Sequence, residues 1–508
     1  MVFGGSRKEQ AEIEMPQVAS LRFPELADAL GERYTENTFE RAFYRRDLAA
    51  VPRWLETVLA RTLPHAVARP QNADDAATLV RYARAHRLPI VPRAAATTVY
   101  WNSVPVRGGL VVDLNQLRGL IAINEERLTA TAQAATRWGE LEAALNRRGY
   151  ATLSYPTSAP AATIGGWISM EGYGIGSLKY GGLTQQLKRL EVVLPNGEIF
   201  QATPDSNPPL TWFTHAEGTL GIITEVELAI RAKPEAVGNH LLAFSDLTAL
   251  ERAIVTLATC TPIPFNIYFS DVAHLRLMRQ AGFPLPTEKS FVAVTLDGSA
   301  PEVADGAPAL KNIVADCAGE RLDNDLAGLE WVERFASLRV KRAGPTLLGA
   351  EAWLPLNELA NYLTDLARLA DAQRMPIATY GTVVTPTMAT VTSIFPSDES
   401  RSLSYVLDLS LTKKIYDVAF RYGGRPYGIG FWNAPYLRRA FAPQALAERF
   451  ARKRQLDPLN LMNPGKTYKT ALLLSPLFFN LGMDTLSWVR RVCNQSLRRL
   501  QLSEPSQG

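Results

Sequence analysis

Residues 74–87, DDAATLVRYARAHR, repeat apolar side chains at helical spacing, with Leu79, Val80 and Tyr82–Ala83 on one side. This spacing predicts an amphipathic helix. The runs PIVP (89–92) and GLVVDL (109–114) are short and β-branched, which suits buried strands. LTATAQA (128–134) alternates like a strand, and TRWGELEAALNRRG (136–149) reads as a helix with a threonine cap and Gly149 as its stop. LEVVLPNGEIFQA (190–202) predicts a hairpin turning at Pro195-Asn196-Gly197, and LGIITEVELAI (220–230) a further strand. Residues 64–234 therefore read as alternating α and β.

The texture changes after residue 236. Helical stretches at 246–259 and 356–373 alternate with apolar runs, SFVAVTLDG (290–298) and LSYVLDLSL (403–411), which suits an α+β unit with an antiparallel sheet. Residues 442–468 read as a helix followed by a Pro- and Asn-rich turn. The tail, 470–500, is apolar and then basic. Pro476, Asn480 and Asp484 interrupt it, so it does not predict a membrane span. Arg490, Arg491, Arg498 and Arg499 follow with no acid close in sequence. Such a helix lies on a membrane, docks on a partner or packs on the protein itself. These shifts divide the chain into 1–62, an N-terminal helical segment; 63–235; 236–440; 441–469; and the tail, 470–508.

Composition narrows the class. The 508 residues are 47% hydrophobic and 20% charged, with Lys+Arg 54 against Asp+Glu 50. A net charge of +4 over this length does not point to nucleic acid. Cys260, Cys317 and Cys493 lie far apart with no CxxC pair, so a cysteine-held zinc or iron–sulfur site is not expected, and a reducing compartment is. The N-terminus has no apolar signal core. The expected location is cytoplasmic, with the tail at the inner face of the membrane.

Two stretches carry chemistry. RAAATT (93–98) follows the strand at 89–92 where a ligand loop would stand, but it has no glycine. Phosphate loops favour glycine, which reaches positive φ and lets backbone N–H groups approach an anion. Residues 153–182, LSYPTSAPAATIGGWISMEGYGIGSLKYGG, are dense in small residues. They match neither a GxGxxG turn after a first strand nor a Walker A loop. Such a backbone lies flat against a large planar ligand.

The order PIVPRAAATT, SYPTSAPAATIGGW, GSLKYGG, LEVVLPNGEIF, AEGTLGIITEVEL and LDPLNLMNPGKTY resembles the FAD-binding family of vanillyl-alcohol oxidase and p-cresol methylhydroxylase type. Within it, the chain is most similar to glycolate and D-lactate dehydrogenase-like flavoproteins, over residues 40–470. The resemblance implies a two-subdomain FAD-binding domain at 63–235, an α+β substrate domain with an antiparallel sheet at 236–440, and a return to the FAD domain at 441–469. It implies that Arg93, Ala94, Ala95, Ala96, Thr97 and Thr98 cradle the FAD diphosphate. Pro156, Thr157, Ser158, Ala162, Thr163, Gly165 and Gly166 would line the flavin, and Ser177, Lys179 and Tyr180 would lie near the ring or ribityl chain. Glu217, Gly218, Thr219, Gly221 and Ile222 would meet the adenosine side, while Asn463 and Lys466 close on the isoalloxazine. Family loops usually carry glycines where Ala94 to Ala96 stand, and a left-handed alanine costs roughly 1 kcal/mol. The loop is therefore expected to keep negative φ or to sit back from the phosphates, with Thr97 and Thr98 hydroxyls as substitute donors. Thr97 stands where covalent relatives carry a tethering His, and no His follows His274, so dissociable FAD is expected.

The substrate side departs from the pattern. YGTVVTPTMATV (380–391) and GGRPYGIGFWN (423–433) stand where hydroxy-acid relatives carry metal-binding histidines, with Thr382 and Tyr427 at the histidine positions. No metal site is expected. Oxidation then needs another base for the alcohol proton. Tyr427 is the first candidate, with Arg425 favouring its phenolate; Arg339 and Arg342 are candidates to clamp a substrate carboxylate. The expected reaction is oxidation of a small hydroxylated substrate, such as the D-2-hydroxy acids lactate or glycolate, with electrons passed to a quinone or iron–sulfur partner. Two alternatives stay open: a metal-free flavoenzyme for a larger alcohol, lipid or C=C bond, and a non-catalytic FAD-binding electron-transfer subunit.

Overall fold

The computed structural model describes residues 23–467 and 474–502. Residues 1–22, 468–473 and 503–508 lie outside the described residues, and so do the side chains of Arg498 and Arg499. Three sheets organise the chain. In the first, the buried runs Ala66–Ala68, Leu110–Asp113 and Ile90–Arg93 pair in parallel, with Tyr34–Thr35 antiparallel at the edge. The crossover helix Ala73–Ala85 is capped by Asn72, whose Oδ1 accepts from the Asp75 N–H at 2.8 Å. Its stripe of Ala76, Ala77, Leu79, Val80 and Ala83 is buried on the sheet.

The second sheet is antiparallel, in the order Leu120–Asn124, Thr129–Gln133, Ile222–Ala232, Leu187–Val193, Ile199–Ala202, with Tyr150–Thr152 also on Ile222–Ala232. The expected hairpin is there: Leu190 opposes Ala202, and Gly197 turns the chain at φ +84°. The helix after Thr136 begins at Trp138 with Arg137 at its N-cap. Thr136 does not cap it, because its hydroxyl is exchanged with the Gly119 backbone instead.

The third sheet has eight antiparallel strands, and the longest runs are Ala236–Phe244, Ser290–Gly298, Thr346–Pro355 and Met388–Ser397. Helices Leu247–Leu257, Ala300–Asp316, Leu359–Gln373 and Ser402–Arg421 cover one face and form the largest core. Side chains alternate along each strand. Ile267, Phe269, Ala350, Ala352, Ala389 and Val391 enter that core, while Tyr268, Glu351, Thr390 and Thr392 face the cofactor half.

One expected sheet run is a helix. LSYVLDLSL lies within Ser402–Arg421. That helix is sandwiched between the third sheet and the tail helix Pro476–Leu502, so both its sides are buried and the sequence shows an apolar run with no helical stripe. The tail helix packs on the protein itself. Arg490, which has no acid close in sequence, meets buried Asp408 at 3.1 Å and the Gln373 carbonyl at 2.7 Å; Lys413 and Lys414 meet Asp484 at 3.0 and 2.8 Å. Among the described residues, no helix is long and apolar enough to cross a membrane.

Asp408→Ala leaves the Arg490 guanidinium buried without its acid. Loss of one partner of a buried pair costs about 3–5 kcal/mol, so the variant's melting midpoint is expected several degrees below wild type; exposed Asp398→Ala is expected to change it little.

Candidate active site

The three sheets meet around one cleft of about 1610 Å³, counted to its open mouth. Its floor is the turn after strand Ile90–Arg93. Ala94, Ala95, Ala96, Thr97, Thr98 and Val99 line it in sequence, and their backbone N–H groups donate to no group among the described residues. Asn102 Nδ2 and Ser103 Oγ stand beside them, both buried without a hydrogen-bond partner among the described residues. The glycine question has a specific answer: Ala96 takes the left-handed conformation, φ +53°, and Ala94 and Ala95 do not. The loop thus keeps a glycine-like turn at one of three positions, which rules out the first of the two expected alternatives, negative φ throughout.

The wall behind this loop is built from distant chain. Lys466, 1% exposed, donates to the Asn102 carbonyl at 2.5 Å and to the Asn463 side chain. Asn463 Nδ2 donates to the Asn102 and Glu217 carbonyls at 2.8 and 2.7 Å. The Glu217 carboxylate accepts from the Ile429 and Gly430 N–H groups at 2.9 and 2.7 Å and from the Thr467 hydroxyl at 3.0 Å. Gly430 is needed here: its φ is +53°, and a Cβ would stand 2.3 Å from the Tyr100 carbonyl.

The opposite wall comes from the third sheet. Glu351 is open to the cleft and otherwise enclosed by protein, and it accepts a 2.5 Å hydrogen bond from the Tyr100 hydroxyl. Burial pushes its carboxyl above the usual range, and the Tyr100 bond opposes that. Arg334 lies on the same lining. Its guanidinium stacks 4.1 Å from the Trp331 ring and 4.3 Å from Phe335, and its Nη1 donates to the Trp331 carbonyl at 2.7 Å. Its Nε is buried without a hydrogen-bond partner, and it forms no ion pair among the described residues. Neither Arg334 nor Glu351 was expected from the sequence.

Residues 64–203 match the FAD binding domain family, and residues 233–467 match the C-terminal domain of FAD linked oxidases. The chain belongs to the FAD-linked oxidoreductases of PCMH type. It is 28% identical to glycolate oxidase subunit GlcD of Bacillus subtilis (strain 168), across 86% of this chain and 94% of that protein. It is 22% identical to a D-lactate dehydrogenase of Anaerostipes hadrus, across 80% and 90%. Among solved structures, p-cresol methylhydroxylase superposes with a TM-score of 0.74 at 15% identity, covering 87% of this chain and 95% of that one. An alkyldihydroxyacetonephosphate synthase gives 0.70 at 17%, covering 87% and 85%. At these identities the two structures establish the PCMH-type fold alone.

FAD is the cofactor of this FAD-linked oxidoreductase, and the cleft suits a dinucleotide. Free amides in a turn attract an anion, and the Arg93 guanidinium stands behind the turn. Of the residues expected to hold FAD, Arg93 to Thr98, Pro156, Thr157, Ser158, Ala162, Thr163, Gly165, Gly166, Glu217, Gly218, Gly221 and Ile222 line the cleft. Others stand behind or away from it. Asn463 and Lys466 brace the wall. Thr219 turns inward, its hydroxyl donating to the Ala216 carbonyl at 2.5 Å. Ser177 Oγ accepts from the Gly174 N–H at 2.9 Å. Lys179 reaches the Asp297 carbonyl at 2.6 Å and Glu302 at 3.1 Å, and Tyr180 lies under the Arg231 guanidinium. These last residues join the FAD domain to the third sheet.

The expected catalytic set is corrected further. Tyr427 lines the cleft, but burial and then the nearby Glu351 push its phenol strongly upward, so it stays protonated. Arg425 does not activate it; its guanidinium lies 5.0 Å over the Trp353 ring. Arg339 pairs with Glu333, and both Arg339 and Arg342 lie over Phe283, outside the cleft. Among the described residues, no group of three or more His, Cys, Asp or Glu is placed to hold a metal ion.

The left-handed alanine gives a direct test. Ala96→Gly removes a steric cost of about 1–2 kcal/mol and adds roughly 0.5–1 kcal/mol of unfolded-chain entropy. Its melting midpoint is expected at or above wild type. Ala95→Gly carries only the entropy cost and is expected to melt lower.

Proposed function

We propose that this flavoprotein oxidises a D-2-hydroxy acid to the 2-oxo acid, with Arg334 holding the substrate carboxylate and Glu351 accepting the hydroxyl proton. The observation that carries this reading is the Arg334 guanidinium, stacked, free of any acid among the described residues, and open to the cleft that Glu351 shares. A planar guanidinium is the residue type suited to bidentate carboxylate recognition. The names of the relatives, a glycolate oxidase subunit and D-lactate dehydrogenases, point to the same substrate class.

When bound, FAD supplies a two-electron hydride acceptor. The chain's own residues do the rest. Arg334 fixes the carboxylate, Tyr268 and Tyr380 crowd water from the third-sheet side, and Glu351 takes the proton. Burial raises its affinity for protons above that of an ordinary carboxylate, which suits a base. The Tyr100 hydroxyl holds the Glu351 carboxylate in place across the domain junction.

With Thr97 where a tethering histidine would stand, the flavin is expected to be dissociable; acid precipitation is expected to release it into the supernatant, and a flavin that stays with the pellet would reject this. The three cysteines provide no iron–sulfur cluster, so electrons leave to a quinone or an iron–sulfur partner, consistent with a relative named as a subunit. A cytoplasmic location beside the membrane fits such an acceptor.

Two variants test the roles. Arg334→Met is expected to lower kcat/KM for 2-hydroxy acids by about a hundredfold or more, chiefly through KM, with Arg334→Lys restoring little of it. Wild-type flavin reduction is expected to rise with pH as Glu351 loses its proton. Glu351→Gln is expected to flatten that limb and slow reduction by about 10²–10⁴-fold. An unchanged KM in Arg334→Met, or an unchanged pH profile in Glu351→Gln, would reject the assignment.

A further inference from the structure

A second chamber of about 830 Å³, counted to its openings, adjoins the cleft and shares Thr157, Tyr268, Arg334 and Thr382 with it. Helix Asn324–Val332 and the turn Ser337–Ala343 cover it, over strands Asn266–Ser270 and Ser290–Gly298. Much of the wall is apolar: Leu275, Met278, Leu285, Phe291, Ala293 and Ala327. Nothing in the roles given above uses this space.

The end beyond Arg334 is polar in a specific way. His274, 4% exposed, is bonded through Nδ1 to the Ser270 hydroxyl at 2.7 Å, and its Nε2 is buried without a hydrogen-bond partner. Burial pushes its imidazole down to about 4, so it is neutral. With the Ser270 hydroxyl donating to Nδ1, the hydrogen sits on Nε2. Arg339 lies within electrostatic reach of His274, Glu330 and Tyr268, which gathers these groups at one end. Its Nη2 pairs with Glu333, and its Nε is buried without a hydrogen-bond partner. Glu330 lines the chamber and forms no ion pair among the described residues. Burial pushes its carboxyl up to about 6, which leaves it ionised at pH 8. A buried polar atom left unpaired costs about 1–3 kcal/mol, so this end is built for a guest. A donor beside an acceptor complements a hydroxyl. A second carboxylate fits poorly, because Glu330 and Glu333 stand at this end, Arg339 is already paired with Glu333, and Arg334 is the anchor of the first carboxylate.

We propose that this chamber takes the side chain of a 2-hydroxy acid longer than lactate or glycolate: an uncharged, apolar body ending in a hydroxyl that accepts from His274 Nε2–H and donates to Glu330. This rests on the reading of Arg334 as the carboxylate anchor at the chamber's mouth.

The holoprotein at pH 8 tests it in two ways. Calorimetric titration compares 3-(4-hydroxyphenyl)propionate with 3-phenylpropionate, neither of which has a 2-hydroxyl to oxidise. Anaerobic flavin reduction compares D-3-(4-hydroxyphenyl)lactate with D-3-phenyllactate and D-2-hydroxyglutarate. The hydroxyl-tipped member is expected to bind about tenfold tighter and to be the best reductant of its set. That advantage is expected to fall toward one in Glu330→Leu and in His274→Phe, the two variants guarding against misfolding of either. Equal binding of the two propionates, or 2-hydroxyglutarate as the best substrate, would overturn the proposal. A tenfold binding advantage with no reduction by any hydroxy acid would support the chamber and reject the reaction, so the two failures are distinguishable.

Discussion

The site depends on the buried carboxylate of Glu217. It gathers the Ile429 and Gly430 amides and the Thr467 hydroxyl, while its own carbonyl accepts from Asn463. One residue of the FAD domain thus fixes the end of the third-sheet domain and the returning C-terminal segment. With Gly430 held, Phe431 N–H reaches the Tyr100 carbonyl at 2.8 Å, and the Tyr100 hydroxyl reaches Glu351. The cofactor wall and the substrate wall are therefore parts of one hydrogen-bonded chain. A buried carboxylate is tolerated only when such donors satisfy it.

The same region stores backbone strain. Ala96, Trp101, Glu171, His215, Glu217 and Asn463 all adopt positive φ without being glycine. Each costs on the order of 1 kcal/mol or more and persists only where the surroundings over-determine it. Here the surroundings are the bonds just described, together with the His215–Glu171 contact at 2.8 Å. The strained residues shape the turn that offers its amides to the cleft and the wall behind it.

Period-2 and period-3.6 patterns made the first two sheets and the crossover helix legible, because each element buries one side. The helix at 402–421 was not, because it is covered on both sides. The cofactor motifs were legible as an ordered set, down to the small residues of 156–166. Ser177, Lys179 and Tyr180 belong to a motif beside the flavin region, yet Lys179 and Tyr180 turn to the domain junction and Ser177 back onto the Gly174 amide, directions that no motif encodes. The substrate wall was least legible. Glu351 is a lone acid in the apolar strand TLLGAEAWLP, a visible signal, but its partner Tyr100 is 251 residues away. Arg334 sits five residues from Arg339, and only the packing of Trp331 and Phe335 around its guanidinium separates a free cation from a paired one.

The central claim is that a 2-hydroxy acid delivers two electrons to the cofactor of this cleft. The most direct measurement is anaerobic addition of D-lactate, L-lactate, glycolate and longer D-2-hydroxy acids to the purified holoprotein, following the visible flavin absorption. Bleaching by D-2-hydroxy acids, with the L-enantiomer inert, is the predicted result. A flavin that dithionite bleaches and no hydroxy acid does would contradict the account.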